Sequence, residues 1–364
     1  MKIKDIIAVL GAWAPTVLQE EYDNCGLQVG DANAEVAKAL ITLDCTEEVV
    51  EEAVRQGCDL IIAHHPVIFG DLKSITGRND VERTLLAAIR NNVAIYAIHT
   101  NLDNVIDGVN GEIAARLGLK SIQVLEPKPG QLQKLNVFVP RAHADAVRDA
   151  LFAAGAGHVG AYDECSFNTD GLGTFKAGEG TSPFVGQQGV RHNEAEVRVE
   201  VLCPVIVHAA VIAAMRAAHP YEEVAYDLYP MANAHQGIGS GLIGEWEEPM
   251  GEEAFLRKLK DVFGPPAVRH SPLTGQPVRR VAVCGGSGAF LIGKAMSAGV
   301  DAYVTGDVKY HEFFRPDGRM LLADIGHYHS ERYTMDLIQR RLGELLPTFA
   351  TRLTETVTNP IHFF

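Results

Sequence analysis

Between residues 37 and 100 short apolar runs alternate with amphipathic stretches, and this alternation constrains the fold more than any single residue. "AKALITLD" (37–44), "DLIIAHH" (59–65) and "VAIYAIHT" (93–100) read as buried strands. "TEEVVEEAVRQG" (46–57), capped by Thr46, and "VERTLLAAIRNN" (81–92) read as helices. Strands separated by helices pair in parallel through right-handed crossovers, so β-α-β units and a mainly parallel sheet are expected. The opening "MKIKDIIAVLGAWAP" reads as an amphipathic helix rather than an export signal, because Asp5 interrupts its apolar run.

At "LEPKPGQLQK" (125–134) the pattern changes. "LNVFVP" reads as a strand, "AHADAVRDALFAAGAG" as a helix, "YDECSFNTDG" and "LGTFKAGEG" as two strands around a turn, "AEVRVEVLCP" as a strand, "VIVHAAVIAAMRAAHP" as a helix and "EEVAYDLYPM" as a strand. That β-α-β-β-β-α-β order is close to a ferredoxin-like unit with one extra strand, and it ends in the glycine-rich loop "NAHQGIGSG" (233–241). The α/β pattern then resumes with strands at "RRVAVC" (279–284), "DAYVTGD" (301–307) and "RMLLADIGH" (319–327) and helices at 252–264, 288–299 and 331–346. A faint echo between the two outer segments sets His65 against Asp307 and Asp103 against His327. The expected fold class is α/β, with mainly parallel mixed sheets and flanking helices from two similar halves. Residues 1–126 and 241–364 form one discontinuous domain, and 127–240 an inserted α+β domain.

Charge narrows the partners. Lys and Arg number 32 against 46 Asp and Glu, a net −14, which opposes a broad phosphate-gripping surface and argues against nucleic acid. The six cysteines are far apart without a CxxC pair, so neither a zinc knuckle nor a disulfide framework is expected, and a reducing, cytoplasmic setting is. No run reaches the roughly 18 apolar residues of a membrane span.

Ligands of parallel α/β sheets bind beyond the carboxyl ends of the strands. Those ends carry Asp44, then His64 and His65, then His99 with Asp103, then Asp307, then His327. On a helix starting near His327, residues His327, Glu331, Met335, Ile338 and Leu342 share one face, which would set a buried carboxylate at the strand-end edge, where a cation relieves its cost. If Ser330 instead caps a later helix, His327 and Glu331 are plain loop residues. Asp103 is placed to bridge two ions or to close a turn on its own backbone. Imidazoles and carboxylates without thiolates suit Zn, Mn, Fe, Co or Ni, and five such ligands exceed the needs of one tetrahedral site, so two divalent ions per chain are expected. "VCGGSGAFL" (283–291) is either a phosphate cradle or, without a P-loop lysine, a simple tight turn.

"YDNCGLQVG" (22–30), "AHHPVIF" (63–69), "HTNLD" (99–103), "VAVCGGSG" (281–288), "TGDVKYHE" (305–312) and "DIGHYHSE" (324–331), in that order, resemble the GTP cyclohydrolase 1 type 2 homologues, or Nif-three-like proteins. The resemblance implies an α/β domain holding two metal ions in a toroidal homohexamer, with His64, His65, Asp103, His327 and Glu331 as ligands and Asp103 bridging. The middle segment, with "HPYEEVAYDLYP" (219–230), is similar to the PII and copper-tolerance (CutA) regulators, without a PII-type nucleotide loop. The functional expectation is a metal-dependent hydrolase acting on a nucleotide or small cyclic substrate, with His99, His311 and Lys309 as candidate acid, base or anion-holding groups. The alternative is a non-enzymatic metal-binding or scaffold ring.

Overall fold

The apolar runs of the first third form strands shorter than their hydrophobic stretches, and the residues left over at the carboxyl ends are the polar ones. The computed structural model describes residues 1–364. The first part of the chain contributes β1 (Gly26–Val29), β2 (Lys38–Thr42), β3 (Leu60–Ala63), β4 (Ala94–Ala97) and β5 (Lys120–Pro127). The middle contributes β6 (Leu132–Pro140), β7 (Ser166–Lys176), β8 (Arg191–Pro204) and β9 (Tyr226–Pro230). The last part contributes β10 (Gly239–Met250), β11 (Arg269–His270), β12 (Val278–Val283), β13 (Ala302–Thr305), β14 (Leu321–Asp324) and β15 (Ala350–Leu353).

The chain divides into two compact units, Met1–Pro127 with Gly237–Phe364, and Lys128–Gln236. The first unit holds two sheets, ordered β1-β4-β3-β2-β15 and β11-β14-β13-β12-β10-β5. In one, β15, β2, β3 and β4 run parallel; in the other, β12, β13 and β14 do. Every residue of β3, β4, β13 and β14 is buried, as expected of strands covered on both faces. Each half thus carries three adjacent parallel strands in chain order. Helices Val109–Leu117 and Thr334–Leu345 pack together, and Arg116 and Arg340 both reach the buried Glu112, at 2.7 and 2.6 Å.

The second unit is a β-α-β-β-α-β sequence folded as an antiparallel sheet, β7-β8-β6-β9, with helices Ala144–Ala153 and His208–Ala218 on one face. The two strands expected at 162–180 are instead the single strand β7, paired with β8 from Ser166 to Lys176. The glycines that suggest a turn there are strand residues, and a Cβ on Gly173 would lie 2.1 Å from the Glu196 carboxylate. β10 is also hidden in the sequence, because Gly239 and Gly244 sit where β5 approaches: a Cβ at Gly239 would fall 2.2 Å from the Glu126 carbonyl. The helix expected over 331–346 runs from Thr334 to Leu345, and the extension back to His327 is a separate short helix, His327–Glu331. Tertiary contacts hold the break, since Tyr333 donates to the Val262 carbonyl and its ring receives the Arg116 guanidinium.

Buried Glu52 fastens the C-terminal segment, accepting from the hydroxyls of Thr354 and Thr356 and the amides of Glu355 and Thr356. Burial raises its carboxyl pKa, but these donors outweigh that and leave it below the ordinary value. Replacing Glu52 with alanine should cost about 3 kcal/mol, the scale of hydrogen bonds to a charged group, read by urea unfolding. With the folded pKa depressed, the contribution is full above the unfolded value of about 4.3 and is lost as pH falls through the folded one. The difference between wild type and Glu52→Ala should therefore shrink only in acid.

Candidate metal centre

The carboxyl ends of both parallel triplets open onto one cluster. The chain leaves β3 at Ala63, and the amides of His64 and His65 still donate to Thr42 and Leu43 carbonyls, so both rings are set at the strand end. His327 and Glu331 come from the first turns after β14, and Asp103 from the short helix Thr100–Asp103 after β4.

Four imidazoles are each tied outward through Nδ1. His64 Nδ1 donates to the Ile98 carbonyl at 2.8 Å, His65 to Asp44 at 2.7 Å, His327 to Asp307 at 2.7 Å and His99 to Asp23 at 2.8 Å. A carboxylate or carbonyl holding Nδ1–H fixes the tautomer and leaves Nε2 as the ligand atom, the arrangement that metal-ligating histidines use. Nε2 of His65 and of His327 each lie 3.0 Å from Glu331 Oε2 and 3.3 Å from one another. Nε2 of His64 is 3.8 Å from Asp103 Oδ1 and 4.0 Å from Glu331 Oε1, and neither that nitrogen nor Asp103 Oδ1 has a hydrogen-bond partner.

The charges are poised accordingly. Burial pushes His64 down to about 3, so its ring is neutral. Burial also disfavours charge on His65, but Asp44 and Glu331 overcome this and lift it to about 9; Glu331 and Asp307 likewise carry His327 to about 11. Burial and nearby Glu331 push Asp103 well up, while the two raised imidazoles hold Glu331 well below the carboxylate range in spite of its burial. The site draws positive charge inward, and inward-facing orphan atoms and a thiolate-free donor set fit divalent cations. Three groups can hold an ion: His64 with Asp103 and Glu331, His65 with His327 and Glu331, and His64 with His65 and His99. In this geometry Glu331, rather than Asp103, is common to the first two.

Of the other candidates, His99 joins the cluster, its ring 5.3 and 5.2 Å from those of His64 and His65. Lys309 and His311 do not: both are exposed at the short helix Tyr310–Phe314, where His311 lies against Tyr310 and Phe314. Cys25 is a protonated donor rather than a ligand, pushed up to about 12 by burial and set against Asp23 and Asn101. Sequence reasoning assigned no task to Asp23, Asp44 or Asp307. The signal for the last two was their place at strand ends.

The glycine-rich turn after β12 is not a phosphate cradle. The amides of Gly285, Gly286 and Gly288 are already given to Asn110, Ser330 and Thr305. Its purpose is room: Gly286 has φ +59°, and a Cβ there would stand 2.3 Å from Glu331 Oε1.

Fold and site together define a mixed α/β protein whose histidine and carboxylate groups could hold metal. The sequence matches the DUF34/NIF3 (NGG1p interacting factor 3) family model over residues 1–360, and the chain belongs to that family. Curated relatives named GTP cyclohydrolase 1 type 2 homolog include one from Halalkalibacterium halodurans, 41% identical over 98% of this chain and 96% of its own length. Another, from Bacillus subtilis, is 38% identical over 99% of this chain and 98% of its own. The crystal structure of a Bacillus cereus protein related to NIF3 superposes with a TM-score of 0.87 at 38% identity, covering 100% of this chain and 99% of that one. No helix is long and apolar enough to cross a membrane.

Gly286→Ala should displace the Glu331 carboxylate and weaken divalent-cation binding at least tenfold in equilibrium dialysis, while the far-UV circular dichroism stays that of the wild type.

Proposed function

We propose that the cluster is a dinuclear metal site and that the protein is a metal-dependent hydrolase acting on a nucleotide or small cyclic substrate. The observation that carries this reading is the pair of unpartnered buried atoms, His64 Nε2 and Asp103 Oδ1, facing one another beside the ionised Glu331. Two divalent ions held by His64, His65, Asp103, His327 and Glu331 would supply Lewis-acid polarisation of the substrate and activation of water. The chain's own residues do the rest. Asp44, Asp307 and the Ile98 carbonyl hold the ligand rings in register, and His99, braced by Asp23, is the group to carry a proton at Nε2. Phe69 stands 6.1 Å from His99 and 6.2 Å from Tyr22, and both aromatics are exposed, which suits a planar ring entering the site.

The family resemblance adds a homohexameric ring, and the β-α-β-β-α-β unit reads as a ferredoxin-like, PII/CutA-like insertion between the two segments of the metal domain. All six cysteines are free, which suits a cytoplasmic protein.

Elemental analysis of protein purified without a chelating tag should find about two divalent ions per chain. His64→Ala and Glu331→Ala should each lower that content, and full occupancy in both would overturn the site. His99→Ala should keep the metal and lose turnover across a panel of nucleotides and cyclic amides. A metal-loaded wild type inert to the whole panel would favour the non-enzymatic ring.

A further inference from the structure

The unit Lys128–Gln236 covers only one face of its sheet. Val137, Val199 and Val201 pack beneath the two helices, while Phe138, Glu196 and Arg198 lie on the other face and border a cavity of about 650 Å³. That volume is within the range of small-molecule sites. Pro183, Phe184 and Tyr221 also line it, with the Phe184 and Tyr221 rings 6.3 Å apart.

Two features mark the cavity as built. Its floor contains Gly171 and Gly173 in the interior of β7, where glycine weakens a strand and marks a close approach by another group. At Gly173 the guest is the Glu196 carboxylate, but at Gly171 a Cβ would meet nothing nearer than 4.0 Å, so that space is open. The walls are also pinned. His219 donates through Nε2 to the Phe138 carbonyl and accepts the Tyr221 amide at Nδ1, Tyr221 Oη donates to Glu196 Oε1 at 3.0 Å, and the Ser182 amide donates to Glu222.

Charge then selects the occupant. Arg198 is paired with Glu200 at 2.7 Å and Asp170 with Arg141 at 2.7 Å, whereas the hydrogen bond to Glu196 comes from a neutral phenol and leaves its charge uncompensated. We infer that this cavity binds a small organic cation with a flat apolar body, its ammonium on Glu196 and its body over the glycine floor between Phe175 and Phe184. The aromatic walls complement such a cation through their ring faces. None of the residues lining this cavity belongs to the metal cluster.

The test uses the full chain and three indoles of similar body: tryptamine, the neutral tryptophol and indole-3-propionate, titrated by calorimetry. Tryptamine should bind at least tenfold more tightly than the other two. Glu196→Gln should remove that preference, and Gly171→Leu, at an open strand position, should abolish binding with the oligomeric mass unchanged. Glu331→Ala should bind tryptamine as the wild type does, which separates this site from the metal cluster. Absence of tryptamine binding, equal binding of all three indoles, or binding lost with Glu331 would overturn the assignment. So would a Gly171→Leu variant that changes the oligomeric mass, since the face would then be covered by another copy of the chain.

Discussion

A carboxylate with only 3% of its side chain exposed needs compensating charge, and much of the site's architecture answers to that need at Glu331. Three imidazoles approach it, two of them within hydrogen-bond distance, and each is held from behind by an oxygen on its Nδ1. Room for the carboxylate comes from Gly285 and Gly286, whose amides are satisfied by Asn110 and Ser330, so the turn is rigid as well as small. Protons on His65 and His327 supply positive charge here, but they leave His64 Nε2 and Asp103 Oδ1 unpartnered. A bound divalent cation would answer both needs at once.

The fold explains how residues more than 200 positions apart come to share this site. Two triplets of parallel strands, β2-β3-β4 and β12-β13-β14, each direct their carboxyl ends toward it. In parallel α/β sheets ligands bind in the crevice outside the carboxyl ends of the strands, and that is where these side chains gather. The aromatic pair Tyr22 and Phe69 belongs to the same economy of placement: Gln28 accepts the amides of Val67 and Ile68, and Asn24 donates to the Ile68 carbonyl, which holds an exposed ring beside His99.

The parallel strands and their flanking helices were legible because apolar runs bounded by caps are local signals: Thr46 caps its helix as its side chain suggests. His64, His65, Asp103, His327 and Glu331 could be named from strand ends and one helical stripe, and the structure brings all five together. What stayed hidden depends on contacts between distant segments. Asp23 reaches His99 across 76 positions, and nothing near "YDNC" announces it. Gly173 and Gly239 look like turn residues until the groups that crowd them are known. Lys309 and His311, two and four positions beyond Asp307, are exposed at a short helix that the motif alone does not show.

The most direct measurement of the central claim is anomalous scattering from a crystal grown with manganese, collected on both sides of the metal edge. Two peaks about 3.5–4 Å apart are expected, one beside His64 and Asp103 and one beside His65 and His327, with Glu331 reaching both. No peak at the cluster, or a single peak that leaves His64 Nε2 without a neighbour, would contradict it.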